Sequence, residues 1–283
     1  MVIKELLHNS ITKLRESGND NPVFEAHALF RRVLSISATD LVLMHDKKVS
    51  KSQEKKILSS IERRISGEPL QYILGVQEFM SLEFKVTQSV LIPRADTETL
   101  VEYVIDKKQN DGFTLLDIGT GTGCIPLSIA AYCPRAFVRG LDISTDAIKL
   151  AEENAKKLML QSRVNFELCD ILSDIPNGKY DIITSNPPYI ETEVIGTLQT
   201  EVKDYEPRLA LDGGTDGLKF YRRICEIAPN LLNPGGMLIF EIGYDQGDKV
   251  SSIMKNRFKD VTVIKDLCSN DRVIVGGSVR NFL

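Results

Sequence analysis

Residues Leu115 to Ala130 read "LLDIGTGTGCIPLSIA": an apolar run, a loop with glycine at every second position, and a second apolar run. The pattern is a strand, a turn and a helix, the opening of a doubly wound α/β domain. Gly119, Gly121 and Gly123 let the backbone turn sharply and lie against a ligand with no Cβ in the way. The spacing is GxGxG. A dinucleotide fingerprint, GxGxxG, would place its third glycine on Cys124. Asp117, two residues ahead of the loop, makes a poor seat for a pyrophosphate and a good one for a ligand that carries an ammonium group.

Downstream, strand-like runs alternate with helix-like ones. The strands are "FTLLDI", "AFVRGLD", "VNFELCD", "YDIITS", "GMLIFEIG", "VTVIKD" and "RVIVGG"; the helices are "IPLSIAAYC", "TDAIKLAEENAKKLML", "DGLKFYRRICEIAPNLL" and "DQGDKVSSIMKNRF". Such alternation predicts a mainly parallel sheet with helices on both faces. The last two strands are joined by a connection too short for a parallel return, so they pair antiparallel. Asp142 ends the second strand, placed to accept from both hydroxyls of a ribose, and Asp170 ends the third, placed to accept from an adenine amino group with Ile171 against the ring. Three acids at three successive strand ends describe a nucleoside with a positively charged amino-acid tail. S-adenosylmethionine fits that description and NAD does not.

The fourth strand runs into Asn186-Pro187-Pro188-Tyr189. The two prolines fix φ at successive positions. The Asn186 side-chain oxygen and a backbone carbonyl of the loop can then converge on one point, an arrangement that binds a planar –NH2 group by both hydrogens, with Tyr189 as a flat face to stack on. Asn-Pro-x-Tyr is also a signal read by phosphotyrosine-binding-type domains, but that signal lies in an exposed tail, whereas this one follows the apolar "DIITS".

Upstream, residues 1–66 read helical, with Asn21-Pro22 as one start signal, Ser50 or Ser52 as another, and Gly67 as a stop. "VQEFMSLEFKV", Val76 to Val86, alternates about Met80-Ser81 as a hairpin does. The expected division is a helical domain at 1–75, a hairpin and hinge at 76–96, and the large domain at 97–283. The chain has 283 residues and a net charge of −4, with no apolar run of membrane-spanning length and an N-terminus too charged for a signal peptide. Five scattered cysteines without a CxxC pair read as reduced thiols of a cytoplasmic protein, and His8, His27 and His45 form no metal-binding spacing, so no metal is expected.

These segments resemble the peptide chain release factor N5-glutamine methyltransferase family, the HemK-like methyltransferases. The resemblance rests on "DIGTGTG", "SNPPYI", "YEPRLALDGGTDGL" (Tyr205–Leu218), "GEPLQYILG" (Gly67–Gly75) and "VLIPRADTE" (Val90–Glu98), and covers nearly the whole chain. Ala95 departs from it, standing where the family has a second proline. The resemblance implies a class I methyltransferase, a Rossmann-like α/β fold with a seven-stranded sheet and an antiparallel last strand, behind a small helical N-terminal domain that binds the rest of the substrate protein. It implies S-adenosylmethionine as donor and the glutamine of the Gly-Gly-Gln motif in class I release factors as acceptor. By the same resemblance Gly119, Thr120, Gly121, Thr122, Gly123, Asp142, Asp170 and Ile171 contact the cofactor, with Asn186 close to it. Asn186, Pro187, Pro188 and Tyr189 hold the glutamine amide, and Asn186 and Tyr189 serve the transfer itself. Arg94, Glu98 and Glu206 lie in the matching segments without an assigned chemical role, ion pairs that stiffen the hinge and loop being one reading of them.

The rival reading is an N6-adenine or other exocyclic-amine nucleic-acid methyltransferase, which presents NH2 to a similar loop. Residues 1–90 carry 13 Lys plus Arg against 11 Asp plus Glu, close to neutral, and the basic group at Lys47, Lys48, Lys51, Lys55 and Lys56 reads as a solvated helix face. A monomer that does not bind DNA is expected. A fold that binds cofactor without catalysis is disfavoured by the intact glycine loop and Asn186–Tyr189.

Overall fold

The computed structural model describes residues 1–108 and 111–280; positions 109, 110 and 281–283, which the 97–283 assignment includes, lie outside the described residues. The chain divides into two compact units, one made of Met1–Val76 with Gln199–Tyr205, the other of Gln77–Leu198 with Glu206–Leu283.

The first unit holds α1 (Ile3–Glu16), α2 (Pro22–Leu34), α3 (Ala38–Leu43), α4 (Lys51–Ile65) and α5 (Leu70–Leu74). Apolar residues at helical spacing, Leu6 and Leu14 on α1, Ala26 with Leu29 and Phe30 on α2, Ile57 and Ile61 on α4, are buried together. Ser50 caps α4: its hydroxyl accepts from Gln53 N at 3.2 Å while Gln53 Oε1 accepts from Ser50 N at 3.1 Å. Arg64 on α4 donates to Glu25 at 2.5 Å and to Glu201 at 2.6 Å, and the Tyr205 hydroxyl donates to Ser66 O at 3.0 Å. Residues 199–205, assigned from sequence to the large domain, therefore belong to the helical unit, tied there by polar contacts that composition does not reveal.

In the second unit β1 (Val76–Phe79) and β2 (Leu82–Lys85) form the expected hairpin, with Met80 and Ser81 both at positive φ. The stretch expected as a separate hinge is part of this unit's core, since Phe79 and Phe84 are fully buried beside α6 (Glu98–Lys108). Then follow β3 (Phe113–Ile118), α7 (Cys124–Tyr132), β4 (Ala136–Asp142), α8 (Thr145–Lys157), β5 (Val164–Leu168) and β6 (Tyr180–Ser185). After the short α9 (Thr200–Lys203), which lies in the first unit, come α10 (Lys219–Leu231), β7 (Leu232–Glu241), α11 (Gly247–Lys255), β8 (Phe258–Lys265) and β9 (Asp271–Val279).

The sheet order is β5-β4-β3-β6-β7-β9-β8. The first five strands are parallel, and β9 pairs antiparallel with both β7 and β8, as the short connection requires. Neighbouring residues on a strand face opposite sides: Leu115 and Ile182 join the core under α6, α7 and α8, whereas Leu116 and Ile183 join the one under α10 and α11. The strand order reverses at β3, so the carboxyl ends of β3, β4 and β6 open on the crevice where such sheets bind ligands.

Candidate functional site

The glycine loop leaves β3 in positive-φ steps at Gly119, Gly121 and Gly123. Gly119 N and Thr120 N donate to Leu141 O at 2.8 and 2.9 Å, Gly121 N to Asp142 Oδ2 at 2.8 Å, and Gly123 N to Thr120 O at 2.8 Å. Four of the loop's five amides are thus engaged within the protein, which removes the N–H cradle a pyrophosphate needs. A Cβ at Gly119 or Gly121 would meet no atom within 4 Å, so the loop's outer side faces open space. Thr122 Oγ1 accepts from Cys124 N at 3.2 Å, just ahead of α7, whose N-cap is Gly123.

Asp117 is fully buried beneath this loop. Its Oδ1 accepts from Thr184 Oγ1 at 2.7 Å, while its Oδ2, like the nearby Thr120 Oγ1, has no hydrogen-bond partner among the described residues. Burial pushes the carboxyl up to about 6, with the Thr184 and Thr120 hydroxyls pulling down and the Asp142 charge pushing further up. A buried carboxylate oxygen without a donor suits a cationic ligand group.

Asp142 is the last residue of β4, as expected, and is not free for a ligand alone: Oδ2 accepts from Gly121 N and Oδ1 from Ser144 N at 2.9 Å. Each oxygen keeps a second lone pair, so the residue can fix the glycine loop and still accept a hydroxyl. Asp170 requires a correction. β5 ends at Leu168, and Asp170 sits two residues beyond it in a turn, where Oδ1 accepts from Leu172 N at 3.0 Å. Ile171 is buried in the core under α10, and its carbonyl accepts from Arg223 Nε at 2.9 Å.

β6 delivers Asn186 to the same edge, since Asp117 pairs in register with Thr184 and Ile118 with Ser185. Asn186 is half-buried, Pro187 buried, and Pro188 and Tyr189 half-buried. Asn186 Nδ2 donates to Thr97 Oγ1 at 3.3 Å, and no described residue donates to Asn186 Oδ1. Burial raises the Tyr189 phenol above its ordinary range, so it stays neutral. Gln246 Nε2 donates to Tyr189 O at 3.1 Å and anchors the loop's end.

Several residues here escaped sequence reasoning. Thr97 precedes α6, and Glu241, 1% exposed, ends β7 beside Asn186, with Oε2 lacking a partner among the described residues. Burial pushes the Glu241 carboxyl up to about 7, while Thr97, Arg272 and Asn186 pull it down and Asp96 pushes it up. Gly213 backs the loop: a Cβ there would lie 2.7 Å from Tyr189 Cα and 2.8 Å from Pro188 O. At Gly217, with φ +69°, a Cβ would collide with Tyr189 O. These close approaches give the glycines of "LDGGTDGL" their physical meaning, and a signal was present in their density. Arg94 donates to both oxygens of Glu206 at 2.7 and 2.8 Å, and Glu98 Oε1 accepts from Met80 N at 2.6 Å in the hairpin turn. Among the described residues no group of three or more His, Cys, Asp or Glu is placed to hold a metal ion, and no helix is long and apolar enough to cross a membrane.

The reversed strand order, the glycine loop over a buried acid and the Asn-Pro-Pro-Tyr corner at one sheet edge define a class I methyltransferase. Residues 109–273 match the family model described as a methyltransferase domain, and residues 5–75 match the one described as the PrmC N-terminal domain. The chain is 41% identical to the release factor glutamine methyltransferase of Moorella thermoacetica, covering 96% of this chain and 97% of that one. It is 40% identical to the one of Geobacter sulfurreducens, covering 97% and 96%. A crystal structure of a methyltransferase from Pyrococcus furiosus superposes with a TM-score of 0.51 at 17% identity, covering 81% of this chain and 98% of that chain, a likeness of fold. The chain belongs to the release factor glutamine methyltransferase family.

Proposed function

We propose that this chain transfers a methyl group from S-adenosylmethionine to the side-chain amide nitrogen of the glutamine in the Gly-Gly-Gln motif of class I peptide chain release factors. Family membership over nearly the full length supports the activity. The observation that carries it to the residues is the state of Asn186: its nitrogen is engaged by Thr97, and its oxygen has no donor among the described residues. An acceptor held at the end of β6 by two prolines is what a substrate –NH2 requires.

S-adenosylmethionine, when bound, supplies an electrophilic methyl on a sulfonium. Asp117 would hold its ammonium with the donor-free Oδ2, the loop Gly119, Thr120, Gly121, Thr122 and Gly123 would lie along it, and Asp142 would take its ribose with the remaining lone pairs. Asp170 and Ile171 would serve the adenine, Asp170 through its free carboxylate oxygen and Ile171 at the edge of its buried side chain.

The chain's own contribution to the chemistry is orientation. An amide nitrogen is a weak nucleophile because its lone pair is shared with the carbonyl. Asn186 Oδ1 and a carbonyl of the Pro187-Pro188 pair would take the two N–H hydrogens, so that the face of the nitrogen points at the methyl, with Tyr189 stacked on the amide plane. Orientation of this kind supplies several kcal/mol, up to about 7–11 in the best intramolecular cases. As the N–C bond forms and the C–S bond breaks, positive charge builds on nitrogen and the same acceptors stabilise it. One proton then leaves the nitrogen to water and yields the neutral N-methyl amide.

On this reading the enzyme works as a monomer in the cytoplasm on a protein, and not on DNA, in keeping with the near-neutral charge of residues 1–90. The test is direct: incubate the protein with S-adenosylmethionine and purified release factor and measure the Gly-Gly-Gln peptide by mass spectrometry. One added methyl on glutamine, lost with Asn186→Ala while cofactor binding persists, is the expected result. An unmodified peptide refutes the reading.

A further inference from the structure

We propose that Glu241 is a positioning residue for the transfer: its carboxylate fixes which end of the Asn186 amide faces the substrate. The proposal rests on the reading above, in which Asn186 Oδ1 receives a substrate N–H.

A side-chain amide has two nearly isosteric ends, one a pair of donors and the other an acceptor, related by a half-turn about χ2. Only one orientation can serve. With Nδ2 turned outward, Asn186 would set donors against the donors of the substrate amide. The Thr97 hydroxyl cannot enforce the choice, because a hydroxyl both donates and accepts, and its 3.3 Å contact with Asn186 Nδ2 is long. An ionised carboxylate only accepts. Beside Asn186 it favours the orientation with Nδ2 inward over the one with Oδ1 inward, and its charge makes the outward Oδ1 a stronger acceptor.

Glu241 is placed for this role. β6 and β7 are parallel, with Ser185 opposite Phe240, so the next residues, Asn186 and Glu241, leave the sheet side by side. The Glu241 carboxyl is 1% exposed, its Oε2 has no partner among the described residues, and the Asn186 amide and Thr97 hydroxyl are near enough to favour its charged form. A carboxylate kept this deeply buried and incompletely bonded opposes stability, which points to a functional role. The charged and titratable groups facing it are Arg272 from β9, Asp96 from the turn before α6, Tyr189 from the loop, Tyr221 from α10 and Cys124 from α7. Burial holds the two phenols and the thiol neutral, and Arg272 stays charged. The Glu241 carboxyl itself is pushed up to about 7. Protonated, it becomes donor and acceptor at once and loses its power to discriminate, so turnover should rise with pH through that range.

The experiment measures kcat and KM for release factor at saturating S-adenosylmethionine from about pH 5.5 to about pH 8, with wild type, E241Q, E241D and Asn186→Ala, and cofactor affinity by calorimetry for each. Saturating cofactor keeps the titration of Asp117 out of the profile. Expected are a wild-type kcat that rises toward neutrality, a loss of about tenfold or more in E241Q with unchanged cofactor affinity and a flattened profile, and partial recovery in E241D, which keeps an acceptor-only group. E241Q turning over at the wild-type rate with the wild-type profile overturns the proposal. If E241Q does not fold, the wild-type profile decides, and a flat one overturns it. Failure of the underlying reading looks different: wild type leaves the glutamine unmethylated, or Asn186→Ala is as active as wild type.

Discussion

Asp117 on β3 and Thr184 on β6 are partners in parallel register, and the Thr184 hydroxyl donates to Asp117 Oδ1 at 2.7 Å inside a fully buried site. One oxygen is satisfied by the fold and the other is not. The protein thus keeps a half-bonded carboxylate under its glycine loop, at a cost to stability that a cationic ligand would offset.

That asymmetry sets the first prediction. The Asp117 carboxyl is raised to about 6 in the folded chain, above its ordinary value near 3.8. A raised acid contributes stability that is complete below its unfolded value and is lost as pH climbs through its folded one. Asp117→Asn should therefore stabilise the cofactor-free protein above about pH 6, by up to about 3 kcal/mol, and confer little at pH 4. The same substitution should weaken S-adenosylmethionine binding about 10–100-fold, the value of one charge-assisted hydrogen bond. Thermal melts at both pH values and calorimetric titration check the two halves, and a variant that melts lower at pH 8 contradicts the account.

Two acceptors at the Asn186 corner also dictate a specificity. On the proposed reading they bind –C(=O)NH2 and repel a carboxylate. A release factor carrying Gly-Gly-Glu should stay unmethylated, with discrimination of roughly 10⁴ or more, as in sites built to pair a substrate N–H. Methyl incorporation into that variant, followed with labelled cofactor, would show that the corner does not read the amide.

The strands and the loop chemistry were legible because each is local. β3, β4 and β6 have the bounds their apolar runs predict, and the hairpin turns at Met80-Ser81. Asp170 was misplaced at a strand end because "VNFELCD" stays strand-like for two residues after the ladder stops at Leu168. What stayed hidden was nonlocal. Asn186 and Glu241 come together because β6 and β7 pair in parallel register, and Thr97 reaches Asn186 from the turn before α6, 89 residues away in sequence. Residues 199–205 carry no compositional break, and their place in the helical unit depends on single polar contacts such as Arg64 with Glu201.

Those contacts yield a stability prediction for the first unit. The side chains of Arg64 and Glu25 are 10% and 11% exposed, whereas that of Glu201 is 40% exposed. Removing Glu25 takes the buried partner from Arg64 and leaves it the exposed Glu201, at up to about 3 kcal/mol, whereas an exposed pair is worth about 1 kcal/mol or less. Glu25→Ala should thus destabilise α2 and α4 far more than Glu201→Ala does. Hydrogen exchange of the two helices, read residue by residue in urea, ranks the variants, and equal effects would mean the burial difference does not govern the pair.

Gly213 gives a prediction in which sterics and chemistry can be separated. A methyl group there would lie 2.7 Å from Tyr189 Cα and 2.8 Å from Pro188 O, distances at which backbone must shift. Both contacts belong to the corner proposed to orient the substrate, and neither touches Asp117 or the glycine loop. Gly213→Ala should leave cofactor affinity within about twofold while lowering kcat/KM for release factor by about 100-fold, because a displacement near 1 Å costs that much in a reaction governed by orientation. Gly235→Ala is the control: its Cβ would meet nothing within 4 Å, and its φ of +77°, a strain that Gly213 does not share, burdens the backbone without touching the corner. If both variants lose activity equally, the loss is one of folding; if only Gly213→Ala does, the position of the Pro188 carbonyl sets the rate.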